Sequence, residues 1–211
     1  MISMPQCWRL RLRRSSGDAS SLVRDVYKRQ VILRGEGRAF CAGADLSSVA
    51  FAPPGAGRAQ RQMAMQRLYS GLPKLMRAAP QPIIALVQGA ACGAGFSLAL
   101  AADVRIAGPA GKMNAAYLRV GVGGCDMGSG YMLPRLVGLS LASELLLTCL
   151  LYTSTNAFGE IKRLFAHVSS RSAASQMEEE AMALARVART EDAWEGMTSF
   201  LQKRPAKFTG N

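Results

Sequence analysis

The chain has a single histidine, His167, and its five cysteines, at positions 7, 41, 92, 125 and 149, form no Cys-x-x-Cys pair. A structural zinc site needs clustered Cys and His ligands, and this pattern argues against one. Scattered cysteines in 211 residues argue equally against a disulfide framework. We read the cysteines as reduced and expect a cytoplasmic protein. Long apolar runs are also missing. The strongest, around Ile83 to Val87 and Leu145 to Leu151, are sized for a strand or a short helix and not for a bilayer. Acidic residues are few: 14 Asp and Glu face 26 Lys and Arg, for a net charge of +12. Five of those net charges fall in residues 1–30, where Arg9, Arg11, Arg13, Arg14, Arg24, Lys28 and Arg29 meet only Asp18 and Asp25. The remainder is spread out, which suits a phosphate-bearing small molecule better than a clustered nucleic-acid footprint.

What is present is organised from Val31 onward. Residues 1–30 show no clean period of 2 or 3.6, and are read as a targeting segment or a non-native one. Ser21 to Gln30 and Cys149 to Ser154 both resemble translated sequencing-adapter fragments, so residues 149–154 are read as an aberrant junction. Val31-Ile32-Leu33 is a short strand ending in the turn Gly35-Glu36-Gly37. Met63, Leu68, Leu72 and Leu75, set among Arg and Gln, predict an amphipathic helix over 59–77 that Pro73 should end or kink. Pro82 to Val87 reads as a buried strand, Phe96 to Ala102 as a buried helix and Asp103 to Ala107 as another strand. Strand, glycine turn, helix, strand indicates an α/β core. A helix follows near Ser140 to Leu147. In the tail, Met177, Ala181, Leu184, Ala185 and Ala188 share a helical face, and Thr190 is placed to cap a last helix that Pro205 would stop.

Two small-residue loops carry the candidate chemistry: Phe40 to Leu46 (FCAGADL) and Val87 to Gly95 (VQGAACGAG). They are tight turns, or they are paired backbone donors aimed at a carbonyl oxygen, each such donor being worth about 3 kcal/mol to a developing oxyanion. A dinucleotide-binding reading fails because no third glycine follows Gly93-x-Gly95, and a P-loop reading fails for want of Gly-Lys-Ser/Thr.

The string GRAFCAGADL, followed by PIIALVQGAACGAGFSLALAADVRIA, NAAYLRVGVGGCDMGSGYMLPRLVG, NAFGEIKRLFAH and EGMTSFLQKRPAKF, resembles the crotonase (enoyl-CoA hydratase/isomerase) superfamily. The resemblance covers about residues 31–148 and 155–210. It implies an α/β spiral of ββα units over 31–148 and a C-terminal helical oligomerisation region over 155–211. It also implies an acyl-CoA substrate, with coenzyme A as part of that substrate and no separate cofactor or metal, and a homotrimer or hexamer.

By position, the resemblance makes the N–H groups of Ala42 and Ala94 the oxyanion donors, with Gly43 and Gly93 beside them. Where hydratases of the family carry two glutamates, this chain has Ser97 and Tyr117. Asp126, in Gly124-Cys125-Asp126-Met127-Gly128, resembles the aspartate of the isomerising branches, and a single carboxylate suffices for an allylic proton shift. Tyr117 is expected to fill the acyl pocket. Asp45, in the first loop, is the second candidate acid after Asp126, with a structural role as the alternative, and Lys203 and Lys207 are candidates for the CoA phosphates. Cys41, Cys92 and Cys125 are read as packing residues, since no base accompanies them. The expected reaction is therefore an enoyl-CoA isomerisation. The alternatives are a hydratase, or a non-catalytic module that binds RNA or protein.

Overall fold

The computed structural model describes residues 30–46, 57–117, 123, 125–147 and 154–210. In it the chain winds through three stacked turns. The first turn starts with β1 (Val31–Arg34), passes through a loop in which Cys41 bridges Ala91 in parallel, and runs into α1 (Arg58–Ala78). The second is β2 (Ile83–Val87), β3 (Ala90–Cys92) and α2 (Ala94–Ala101). The third is β4 (Val104–Ala107) and β5 (Lys112–Asn114), followed by α3 (Ser129–Val137). Each turn lays one strand on each of two parallel sheets. The first sheet has the order β1-β2-β4, and the second pairs β3 with β5, with Cys41 as its third rung. This is the expected spiral of ββα units.

β2 shows why the sheets stack as they do. Its residues alternate between faces. Ile83, Ala85 and Val87 turn inward and pack with Phe40, Ala91, Ala99 and Ala102. On the other face, Ile32, Ile84 and Val104 stand in register across the three strands, with Ile32 and Val104 exposed. Asp103 locks the turn entering β4: its carboxylate accepts from the Ile83 N–H at 2.8 Å and pairs with Arg77 at the end of α1 at 2.7 Å.

α1 matches the expected span to within a residue at each end and does not stop at Pro73, but its buried face is not the expected one: its buried residues are Arg58, Gln62, Gln66, Ser70 and Pro73. Leu68 and Leu75 face outward, 62% and 71% exposed. The tertiary partner decides the buried face: α1 packs chiefly on α6 (Ala173–Val187) and on α2. The helix near Ser140 is α4 (Leu139–Leu147), and the chain resumes in α5 (Thr155–Ala166). Phe96, Leu100, Met132, Leu133, Leu146, Ile161, Leu164 and Phe165 bury a second core among these helices.

Glu160 joins α5 to α6 through Arg186 at 2.8 Å. Thr190 caps α7 (Glu191–Leu201) as expected, its hydroxyl accepting from the Ala193 N–H at 3.1 Å. The expectations for residues 1–29 and 149–153 fall outside the described residues. Among the described residues, no helix is long and apolar enough to cross a membrane.

Candidate active site

The two small-residue loops are joined edge to edge by the second sheet. Phe40 N–H and Cys41 N–H both donate to the Ala90 carbonyl, at 2.9 and 3.1 Å, and Cys92 N–H donates back to the Cys41 carbonyl at 2.9 Å. This register carries Ala42 and Ala94 to the same end of adjacent rungs. Gly95 makes the approach possible: a Cβ there would lie 2.4 Å from the Cys41 carbonyl oxygen. Gly43, at φ +99°, turns the first loop so closely that a Cβ on it would sit 3.7 Å from the Ala94 nitrogen. Ala94 opens α2, so its N–H has no acceptor within the helix. Among the described residues, no backbone carbonyl takes the N–H of Ala42 or of Ala94. Both residues line a cavity of about 320 Å³.

Ala42, Gly43, Gly93, Ala94, Tyr117 and Asp126 line that cavity, so most of the residues singled out in the sequence come together there. Among the described residues, Asp126 is the one carboxylate that lines it. One carboxylate oxygen of Asp126, Oδ1, is buried and has no hydrogen-bond partner among the described residues. Burial pushes the carboxyl up to about 7, with a bond from the Met127 N–H opposing part of the shift. The next residue, Met127, is fully buried at φ +53°, a conformation that costs a non-glycine residue about 1–2 kcal/mol. Its side chain packs on Ala94 and Leu98, which anchors the Asp126 loop to the first turn of α2.

Ser97, Ser129 and Glu180, which the sequence reading gave no role, join Tyr117 in holding the Asp126 loop in place. The Ser97 hydroxyl donates to the Asp126 carbonyl at 2.7 Å. That spends its one proton, so Tyr117 donates to Ser97 Oγ, with the Gly93 carbonyl at 3.1 Å as its alternative acceptor. Burial, and then the nearby Asp126, hold the Tyr117 phenol well above its ordinary value, so it stays protonated. Ser129 Oγ accepts from the Asp126 N–H at 3.0 Å. Glu180, on α6, accepts from the Gly128 N–H at 2.6 Å and the Gly130 N–H at 2.9 Å, satisfying orphan donors at the start of α3. Burial pushes Glu180 up to about 8 against the pull of those two bonds. The sequence carried a signal for Glu180: it lies three residues after Met177 and four before Leu184, on the apolar face of α6.

The remaining candidates lie apart. Asp45 is exposed and does not line the cavity. Lys203 is exposed, and Lys207 lies beside a separate concavity with Glu195 and Arg204, its N–H bonded to Glu195 at 2.8 Å. Cys92 lines the cavity, whereas burial raises the Cys125 thiol well above its usual range and keeps it protonated. His167 is an exposed residue at the end of α5.

A ββα spiral with two loops converging at a helix start defines the crotonase class of fold. Residues 20–160 match the family model described as enoyl-CoA hydratase/isomerase, and the chain belongs to that family. It is similar to a Mycobacterium tuberculosis protein named "Probable enoyl-CoA hydratase", 41% identical over 152 residues, covering 71% of this chain and 53% of that one. It is also similar to the 1,2-epoxyphenylacetyl-CoA isomerase of Escherichia coli, 37% identical over 124 residues, covering 59% of this chain and 47% of that one. The crystal structure of an enoyl-CoA hydratase from a Polaromonas species superposes with a TM-score of 0.51 at 28% identity, covering 86% of this chain and 82% of that one. The chain spans about half the length of most of these curated relatives.

Proposed function

We propose that this chain catalyses an allylic isomerisation of an enoyl-CoA, with Asp126 as the single acid and base. The observation that carries this reading is the buried carboxyl of Asp126, the one carboxyl among the described residues of the cavity that Ala42 and Ala94 also line. In this scheme the thioester oxygen of a 3-enoyl-CoA accepts from the Ala42 and Ala94 N–H groups. The Asp126 carboxylate takes a proton from the α-carbon, and negative charge flows to the thioester oxygen as a dienolate. Asp126 then returns the proton to the γ-carbon, which moves the double bond into conjugation. A carboxyl near 7 is matched to both halves of that exchange at neutral pH.

The names of several relatives favour hydratase as the second reading. Against it, Ser97 and Tyr117, which stand where the resemblance puts two glutamates, are committed to each other and to the Asp126 loop. Lys203 follows closely on Phe200, which lines the cavity, so Lys203 and Lys207 remain the proposed contacts of the CoA phosphates outside it. The working protein is proposed to be a cytoplasmic homotrimer or hexamer.

The test is a spectrophotometric assay with a 3-enoyl-CoA, watching conjugation appear. The parent is expected to conjugate it and Asp126→Asn to lose at least about a thousandfold. Hydration of a 2-enoyl-CoA without any conjugation of the 3-enoyl isomer would overturn the isomerase reading.

A further inference from the structure

Glu180 is 1% exposed and spends its carboxylate on the loop that carries Asp126. Its two oxygens are divided: Oε2 accepts from the Gly128 N–H at 2.6 Å and Oε1 from the Gly130 N–H at 2.9 Å. Those donors stand two and four residues after Asp126. Beside the acid, Met127 and Gly128 are both left-handed, at φ +53° and +84°. The loop rests so closely on α6 that a Cβ on Gly130 would lie 2.7 Å from Glu180 Oε1, and one on Gly128 2.4 Å from Met177 Cε. A strained turn keeps its shape only where its surroundings hold it, and Glu180 supplies that hold from α6.

Building on the isomerase reading above, we infer that Glu180 is a positioning residue for Asp126, and that its carboxylate must be ionised for the acid to be aimed at the substrate. An ionised carboxylate accepts at both oxygens, whereas a protonated one carries a donor on one of them. Each oxygen already takes an N–H, so a proton on either weakens one arm of the clamp. The titratable groups that face Glu180 are Asp126, Tyr117 and Cys125. Among the described residues, the cations on α6 and on the helices packed against it are turned elsewhere. Arg58 of α1 lies over Trp194, Arg67 of α1 pairs with Glu178, Arg135 of α3 donates to the Val168 carbonyl, and Arg163 of α5 and Arg186 of α6 both pair with Glu160. Burial lifts Glu180 to about 8, with Asp126 adding to the shift and the two backbone bonds opposing it. Activity therefore waits on two protons, one from the base and one from its clamp, and the two acids titrate as a pair.

The test is the pH dependence of 3-enoyl-CoA conjugation by the full chain, from about pH 5.5 to 9, in the parent and in Glu180→Gln. In the parent, log kcat/KM is expected to rise with a slope near two below about pH 7 and to level only above about 8. Glu180→Gln fixes the neutral form, so its slope should fall to about one. At about pH 8.5 it should lose about a hundredfold in kcat with KM nearly unchanged, and the gap should close as the pH is lowered. A residue that served stability alone would leave the slope as it was. A slope of one in the parent overturns the inference, as does a slope of two that survives in Glu180→Gln. Where the variant fails to fold, nuclear magnetic resonance of the parent with labelled glutamate carboxyl carbons decides. One glutamate should titrate across the window of the rate, and a chain whose glutamates all titrate below about pH 5.5 overturns the inference. Conjugation with a slope of one leaves the isomerase reading standing. Absence of conjugation at every pH overturns that reading, and this inference with it.

Discussion

Burial is what would suit Asp126 to the proposed proton transfer. An exposed aspartate is almost wholly ionised at neutral pH and a poor proton donor, whereas one raised to about 7 is present in both forms. The proton-abstracting form is the carboxylate, so kcat/KM for a 3-enoyl-CoA should climb as pH rises through about 7 and then level. A pH–rate profile checks this, and a profile flat from pH 5.5 to 8.5 would remove Asp126 as the base. Asp126 was legible in the sequence through its motif, and Ala42 and Ala94 through theirs. Ser97 could be read only as a missing glutamate and Tyr117 only as a pocket-filling side chain in place of another, because a hydroxyl relay depends on side chains 20 residues apart meeting in space. Glu180 was hidden in the run Glu178-Glu179-Glu180, where only helical phase separates the fully buried acid from its partly exposed neighbours.

At the scale of elements, the close contact of the two loops is the sensitive point. Gly95→Ala drives a methyl into the Cys41 carbonyl, and backbone has to move. We expect a loss of about 1–3 kcal/mol in urea unfolding and a disproportionate fall in kcat, since donors displaced by an ångström no longer converge. Gly37→Ala, where a Cβ meets open space, is the control and should change neither. α1 shows where sequence periodicity falls short. The helix was legible, but its buried side was not, because the apolar residues suggested one face and packing on α6 selected another. Leu75→Gln should accordingly shift stability by less than about 0.5 kcal/mol. Ser70→Leu, at a position 2% exposed, should cost about 1–3 kcal/mol, and urea midpoints would reveal the reverse order if the face is misassigned.

Over the whole molecule, two buried acids set how stability responds to pH. Asp126 rises from 3.8 to about 7 on folding and Glu180 from 4.5 to about 8. The folded chain therefore holds protons that the unfolded chain has released, and stability falls as pH climbs between about 4 and 8. Melting temperature should drop across that window, and Asp126→Asn should flatten the slope; a melting temperature that rises from pH 5 to 8 in the parent would contradict both assignments. The α/β class was legible from strand, glycine turn, helix and strand. β3 and β5 were not, since three-residue strands carry no usable period and exist only because one turn of the spiral rests on the next. That stacking also orders assembly in time. β2 reaches β4 past one short strand and one short helix, but β1 reaches β2 only past residues 35–57 and the length of α1, and wider closures carry a greater entropic cost. The first loop, with Ala42, travels with β1. A nascent chain would then gain most of its helix and sheet signal while still silent in any assay, and activity would arrive as a late, separate phase of refolding.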